Sequence, residues 1–202
     1  MNLPKLIVFD LDDTLILNKI DFVILWRELL KNYLGREIEY FEVVQAPSST
    51  DRMFCEHFLK DENQIEECLA KLQTYYYESL DKFWLPEGVS ELLSELKKSN
   101  VKLAIFSARD RETGEFLLKK FDLIGFFDSL VFTEDVSEQK PNPEGLKKLL
   151  QEFKTNTKDS LLVGNTKDDF EPANALDVEF FRVNWFRKGP NAWGNLNNRL
   201  FS

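Results

Sequence analysis

The residues of this chain best equipped for chemistry lie in four short stretches. Asp10-Leu11-Asp12-Asp13-Thr14 follows an apolar run at 5–9, and Ser107 follows a second run at 101–106. Lys140 lies on the segment after a third run at 129–132, and Gly164-Asn165-Thr166-Lys167-Asp168-Asp169 follows a fourth at 160–163. Together they supply carboxylates, a hydroxyl and a lysine. That is an inventory for phosphoryl transfer: carboxylates hold a hard cation, the cation neutralises a phosphate, and lysine and hydroxyl take its remaining oxygens.

Such residues act together only if the chain brings them to one edge. The apolar runs end abruptly at polar residues, as buried parallel strands do, and a fifth run occupies 178–183. Helical spacing separates the runs: Val89, Leu92, Leu93 and Leu96, then Phe116, Leu117 and Lys120, then Leu146, Leu149, Leu150 and Phe153 behind Pro143 and Glu144. Strands alternating with helices of this length predict an α/β fold, a Rossmann-like parallel sheet covered on both faces. Loops at the carboxyl ends of such strands converge on one crevice, which collects all four stretches.

From 17 to 83 the alternation stops. Phe22, Trp26, Leu29 and Tyr33 recur at helical spacing, as do Ile65, Leu69, Leu72 and Tyr76, and no strand is expected there. Ala46-Pro47-Ser48-Ser49-Thr50 predicts a turn and Asp61-Glu62-Asn63 a helix start. The expected organisation is an α/β core domain from 1–16 and 84–202, with a helical insertion at 17–83. The stretch 185–202, rich in Asn, Gly and Arg, reads as a tail that covers the core or forms a contact surface.

Composition narrows the classes. With 43% hydrophobic and 30% charged residues, and 18 phenylalanines in 202 residues, the chain can bury a sizeable core. A net charge of -9 argues against nucleic acid and anionic membrane as partners. It argues less against an anionic substrate, because a bound metal and one lysine can reverse the sign inside a pocket. Cys55 and Cys68 lie in helical patterns without metal-ligand spacing and are expected as buried free thiols rather than a disulfide. Met1 to Pro4 leads into the first apolar run without the basic region of a signal peptide, and no run approaches membrane-spanning length. A cytoplasmic protein is expected.

Asp10-x-Asp12-x-Thr14, Ser107, Lys140-Pro141 and the Gly164 stretch ending in Asp169 resemble, in order, the four motifs of the haloacid dehalogenase (HAD) superfamily. The match runs from about Leu6 to Glu179. Pro86-Glu87-Gly88-Val89 and Lys140-Pro141-Asn142-Pro143 also resemble the phosphoglycolate-phosphatase-like branch, whose small helical cap domain falls where the insertion lies. One Asp-x-Asp-x-Thr is a weak signal, whereas four motifs at four strand ends are specific. The resemblance implies an HAD-like fold, Mg2+ as cofactor, and a small phosphorylated metabolite as the substrate of a phosphatase, in a monomer or homodimer. It implies Asp10 as the nucleophile that becomes an aspartyl-phosphate. Asp12 would be acid and then base, and Lys140 a point charge between phosphate and Asp10. Thr14, Ser107, Ala108 and Lys140 would surround the phosphate, Thr14 orienting its loop and Ser107 offering a hydroxyl and a backbone N–H. The metal would be held by Asp10, the Asp12 backbone carbonyl, Asn165 and Asp169. The second aspartate favours phosphate esters, because true dehalogenases and phosphonate-cleaving members lack it.

Two positions depart from the family pattern. Asn165 stands where an aspartate usually binds the metal, and an amide oxygen adds no charge to a site whose affinity follows charge count. Ala108 stands where many members have Asn. Both leave room for a binding or regulatory protein with weak or lost catalysis; a phosphomutase would need a further acid/base in the insertion. Arg109 could reach substrate, but pairing with a carboxylate or solvation is the plainer expectation. Asp13 reads as a turn residue and His57 as packing or surface. Lys19, Arg52 and Trp26 are the insertion residues to watch for substrate contact.

Overall fold

The computed structural model of the chain describes residues 3–47, 50–183 and 192–201. Strands follow in chain order as β1 (Leu6–Phe9), β2 (Leu17–Asn18), β3 (Phe83–Trp84), β4 (Lys102–Phe106), β5 (Ser129–Val131), β6 (Ser160–Gly164) and β7 (Glu179–Arg182). Two compact units result, Met1–Leu17 with Trp84–Ser202, and Asn18–Phe83.

The second unit is helical. Helix α1 (Phe22–Leu34) begins where the Asp21 carboxylate accepts the Ile24 N–H at 3.0 Å and ends at Gly35, whose φ of 63° suits a residue without Cβ. Helices α2 (Tyr40–Gln45), α3 (Asp51–Phe58) and α4 (Glu62–Glu78) follow, with Thr50 and Asp61 capping the last two. Ser48 and Ser49 of the expected turn lie outside the described residues. Leu25, Trp26 and Leu30 turn inward with Phe54, Cys55, Ile65, Cys68, Leu72 and Tyr76. Trp26 stacks on Phe54 with ring centroids 4.3 Å apart, and Arg52 is ion-paired with Glu56, Glu62 and Glu66. Two of the three residues singled out for substrate contact are therefore taken up by the unit's own packing. His57 is exposed, edge-on to Phe58, and both cysteines are free and buried.

The pattern between 17 and 83 shows no strand, yet β2 and β3 pair as a separate sheet at its two ends. Two residues are too few for alternation to show.

The first unit is built on a parallel five-stranded sheet in the order β5-β4-β1-β6-β7. The four residues of β1 are fully buried, as befits an apolar strand covered on both faces. Helices α5 (Val89–Lys98), α6 (Arg111–Lys120), α7 (Glu144–Glu152) and α8 (Lys167–Ala175) connect the strands. Leu6, Val8, Ala104, Phe106 and Leu162 form one core with Leu146, Leu149 and Leu150 of α7 and Ala173 of α8. Alternation turns Phe9 to the opposite face, where it meets Phe127 edge-on at 6.3 Å. Gly145 lets α7 lie close: a Cβ there would fall 2.3 Å from Phe106 Cε2.

Of the tail, 184–191 lies outside the described residues. The last helix, α9 (Ala192–Phe201), buries Leu196 and Leu200 and packs against α5, so this part covers the core. No described helix is long and apolar enough to cross a membrane.

The chain runs from β1 to β4 and β5 on one side, then crosses to β6 and β7 on the other. Strand order thus reverses beside β1, and such a switch point opens a crevice at the carboxyl ends of the strands.

Candidate active site

Register carries the expected residues to that edge. Phe9 lies level with Ile105 and Val163, so Asp10 continues level with Phe106 and Gly164, and its N–H donates to Val163 O at 2.9 Å. Asp10, Thr14, Ser107, Lys140 and Asp169 are all buried.

Lys140 sits between two carboxylates. Its Nζ donates to Asp10 Oδ1 at 2.9 Å and to Asp169 Oδ1 at 2.6 Å, and lies 4.7 Å from the Phe106 ring centroid. Burial works against the Lys140 charge, but Asp10 and Asp169 outweigh it and hold the ammonium above the usual lysine range. Burial, then the neighbouring Asp169, pushes the Asp10 carboxyl up to about 7 against the pull of Lys140. For Asp169 burial is likewise the largest influence, but Lys140 and the Thr166 hydrogen bonds overcome it and leave the carboxyl below the usual range.

Asp169 is engaged through both of its oxygens. Lys140 occupies Oδ1, while Oδ2 accepts from Asn165 N at 3.1 Å, Thr166 N at 3.0 Å and Thr166 Oγ1 at 2.8 Å. A carboxylate has about four lone-pair sites, two on each oxygen, so Oδ2 is saturated while Oδ1, with the single Lys140 bond, keeps one acceptor position. Asp169 thus fixes Lys140 and closes the first turn of α8. The signal was present, because Thr166-x-x-Asp169 is a capping-box spacing. Gly164 permits this closeness, since a Cβ there would fall 2.5 Å from Asp169 Cβ. Asn165 turns its amide oxygen towards Thr14, whose hydroxyl donates to it at 3.3 Å.

Ser107 also departs from expectation in one respect. Its backbone N–H continues the sheet ladder to Val131 O at 3.0 Å and is not available to a phosphate. Its Oγ accepts from Arg109 N at 3.2 Å, which leaves the hydroxyl proton to donate. The half-buried Ala108 has its carbonyl tied by Thr133 Oγ1 at 2.7 Å.

Asp12 is held by a residue whose part sequence reasoning left open. Arg109 donates from Nε to Asp12 Oδ2 at 2.9 Å and from Nη2 to Asp12 Oδ1 at 2.7 Å. The arginine side chain is 5% exposed and the aspartate 34%.

Three carboxylates and two cations thus meet here: Asp10 and Asp169 share Lys140, and Asp12 has Arg109. One negative charge is in excess when all are ionised, and the Asp169 charge adds to burial in raising the Asp10 carboxyl. A buried carboxylate short of positive charge, with an amide oxygen one residue beyond the level of Asp10 on the adjacent strand, suits a hard cation bound through oxygen. No group of three or more His, Cys, Asp or Glu forms a metal cluster among the described residues. The donor set fits Mg2+, with fewer charges than an all-carboxylate site.

Known proteins are similar to this chain. A family model described as haloacid dehalogenase-like hydrolase matches residues 7–183. Pyrophosphatase PpaX of Bacillus thuringiensis (strain Al Hakam) is 30% identical over 187 residues, covering 91% of this chain and 84% of the relative. A crystal structure from Haemophilus somnus 129pt, described as a predicted phosphoglycolate phosphatase, is similar at a TM-score of 0.75 and 22% identity, covering 89% of this chain and 85% of that one. A HAD hydrolase of family IA, variant 3, from Entamoeba histolytica HM-1:IMSS is similar at a TM-score of 0.75 and 19% identity, covering 93% and 86%. At such identities the two structures speak for the fold.

Proposed function

Because the chain belongs to the haloacid dehalogenase-like hydrolases, we propose that it is a magnesium-dependent phosphatase that hydrolyses a small phosphate monoester through a phosphorylated Asp10. The observation that carries this reading is the buried Lys140, fixed by Asp169 and hydrogen-bonded to one oxygen of Asp10. The lysine orients the carboxylate and leaves its other oxygen for attack.

In the first step that oxygen bonds to phosphorus while the bond to the leaving oxygen breaks, and Asp12 gives the leaving oxygen its proton. In the second, Asp12 takes a proton from water, the water oxygen bonds to phosphorus, and Asp10 is released. Lys140, the Ser107 hydroxyl and the Ala108 N–H surround the phosphate oxygens, and Thr14 steadies Asn165. Mg2+ would be held by Asp10, the Asp12 backbone carbonyl, Asn165 and Asp169, and would supply positive charge against the phosphate.

We assign substrate selection to Asn18–Phe83, the cap of this reading. Its support is the point of insertion, directly after the Asp10 loop. Within that unit an open cleft of about 450 Å³ is lined by Lys19, Asp21, Leu25, Tyr75 and Lys82 among others.

Pyrophosphate and phosphoglycolate, after the names of the relative and the structural neighbour, are the first compounds to try. The deciding experiment is magnesium-dependent phosphate release by the wild type and Asp10→Asn, whose side chains are nearly isosteric. Release by the wild type and none by the variant is expected. Substantial turnover by the pure variant removes the nucleophile. Should the wild type bind Mg2+ and release nothing from any ester, the reading gives way to a binding protein, for which Asn165 is the favouring observation.

A further inference from the structure

Arg109 makes a set of contacts that no phosphate-binding arginine needs. Its guanidinium meets Asp12 fork to fork, with both carboxylate oxygens engaged at 2.9 and 2.7 Å. Paired N–H donors on a rigid plane fix an acceptor's orientation as well as its distance. The third arm, Nη1, donates to Thr113 Oγ1 at 3.3 Å, and that hydroxyl in turn donates to Asp110, the N-cap of α6. The Arg109 backbone is held too, its N–H by Ser107 Oγ at 3.2 Å and its carbonyl by Thr133 N at 3.2 Å. An arginine tied at this many points has little rotamer freedom left to lose.

Asp12 differs, being one-third exposed on a loop. A carboxylate in that setting samples several rotamers unless something holds it.

We propose that Arg109 is a positioning residue that clamps the Asp12 carboxylate in one orientation and locks it to the Ser107 strand end. This rests on the reading of Asp12 as the group that serves the leaving oxygen and the water. The clamp uses two of the roughly four lone-pair sites of the carboxylate and leaves the others for the reaction. It also places Asp12 and Ser107 in one hydrogen-bonded assembly, through Arg109 side chain and backbone respectively.

The test compares Arg109→Ala and Arg109→Lys with the wild type on p-nitrophenyl phosphate, whose leaving group needs little help, and phenyl phosphate, whose leaving group needs more. Misplacing a reacting group by an ångström costs on the order of 100-fold. Arg109→Ala should therefore lose ~100-fold in kcat on phenyl phosphate, with KM nearly unchanged, and much less on p-nitrophenyl phosphate. Arg109→Lys keeps the charge without the fork and should stay closer to the alanine variant than to the wild type. In an Asp12→Asn background, Arg109→Ala should add no further loss, because the group it orients has gone.

A raised KM with kcat intact would overturn the proposal and make Arg109 a substrate ligand. So would equal losses on both esters, or losses that add to those of Asp12→Asn. If Arg109→Ala does not fold, Arg109→Lys carries the comparison: wild-type kcat on phenyl phosphate overturns the clamp, and a selective loss supports it. Failure of the underlying reading is separate, since it shows as phosphate release by Asp10→Asn.

Discussion

Asn165→Asp restores the charge that the family pattern expects at this position and tests the balance of the whole site. Asp10, Asp12 and Asp169 oppose Lys140 and Arg109, a net of -1 from three carboxylates and two cations. Mg2+ brings that net to +1, and a dianionic phosphate then brings it back to -1. In the Asn165→Asp variant the same sequence is -2, 0 and -2. The variant should bind metal more tightly and phosphate more weakly. At an effective dielectric of about 20, one unit charge some 5 Å from another is worth about 3 kcal/mol before screening by solvent and by a divalent ion's retained water. Even half of that is about 10-fold, at the lower end of the ~10–100-fold by which outer-shell changes alter metal affinity. Sterically the change is mild, since a carboxylate oxygen can still accept the Thr14 hydroxyl bond now 3.3 Å long. The assay is a magnesium titration of phosphate release at fixed ester, followed by ester titration at saturating metal. Half-saturation should fall ~10-fold or more and KM should rise by a comparable factor. Unchanged half-saturation, or a KM that falls with it, would refute the charge accounting.

Other expectations follow from the same geometry. Asp12→Asn should slow phenyl phosphate far more than p-nitrophenyl phosphate; equal losses would remove its acid role. The Asp10 carboxyl, raised from 3.8 to about 7, binds its proton more tightly in the folded than in the unfolded chain. Its contribution to metal-free stability is therefore full below about pH 4 and lost as pH rises through 7. Mg2+ competes with that proton, so calorimetry should show magnesium affinity rising from pH 6 to pH 8 in the wild type, and a flat profile would contradict it. Gly145→Ala should cost ~1–3 kcal/mol in urea unfolding, as a Cβ 2.3 Å from Phe106 forces the ring aside; an unchanged midpoint would show that α7 yields freely. Excising 19–83 with a short linker should leave slow, unselective hydrolysis, whereas full selectivity in the shortened chain would remove the assignment of specificity to the helical unit.

The core strands were legible because each apolar run ended at a polar residue of the edge, as at Phe9–Asp10 and Phe106–Ser107. Helix α8 was overlooked despite the capping-box spacing of Thr166 and Asp169: 167–169 read as loop, and Pro172 reads as a breaker although the helix accommodates it. Helix α9 was missed because its inward residues, Leu196 and Leu200, are too few to set a period among asparagines. Types and order located the polar cluster, but not its wiring. Nothing in Ser107-Ala108-Arg109 says that the arginine reaches 97 positions back to Asp12. Nor does the spacing of Lys140 and Asp169 reveal a bond across 29 positions. Those contacts are set by the order of strands, which a single sequence does not spell out.

The ladder between β2 and β3 has a meaning beyond its two residues per strand. Lys19 N donates to Lys82 O at 2.9 Å, so the helical segment leaves and re-enters the chain at neighbouring points. To the sheet, the whole helical segment amounts to one short loop, because the host sees only the distance between the two ends. A segment joined this way can lengthen, shrink or be replaced without moving β1 or β4, and its sequence can drift under its own packing rules alone. The lineage can thus try new helical segments on a fixed reactive edge. The part of this chain that diverges fastest should be the stretch bounded by that ladder, while the residues that pair in it stay short, extended and plain.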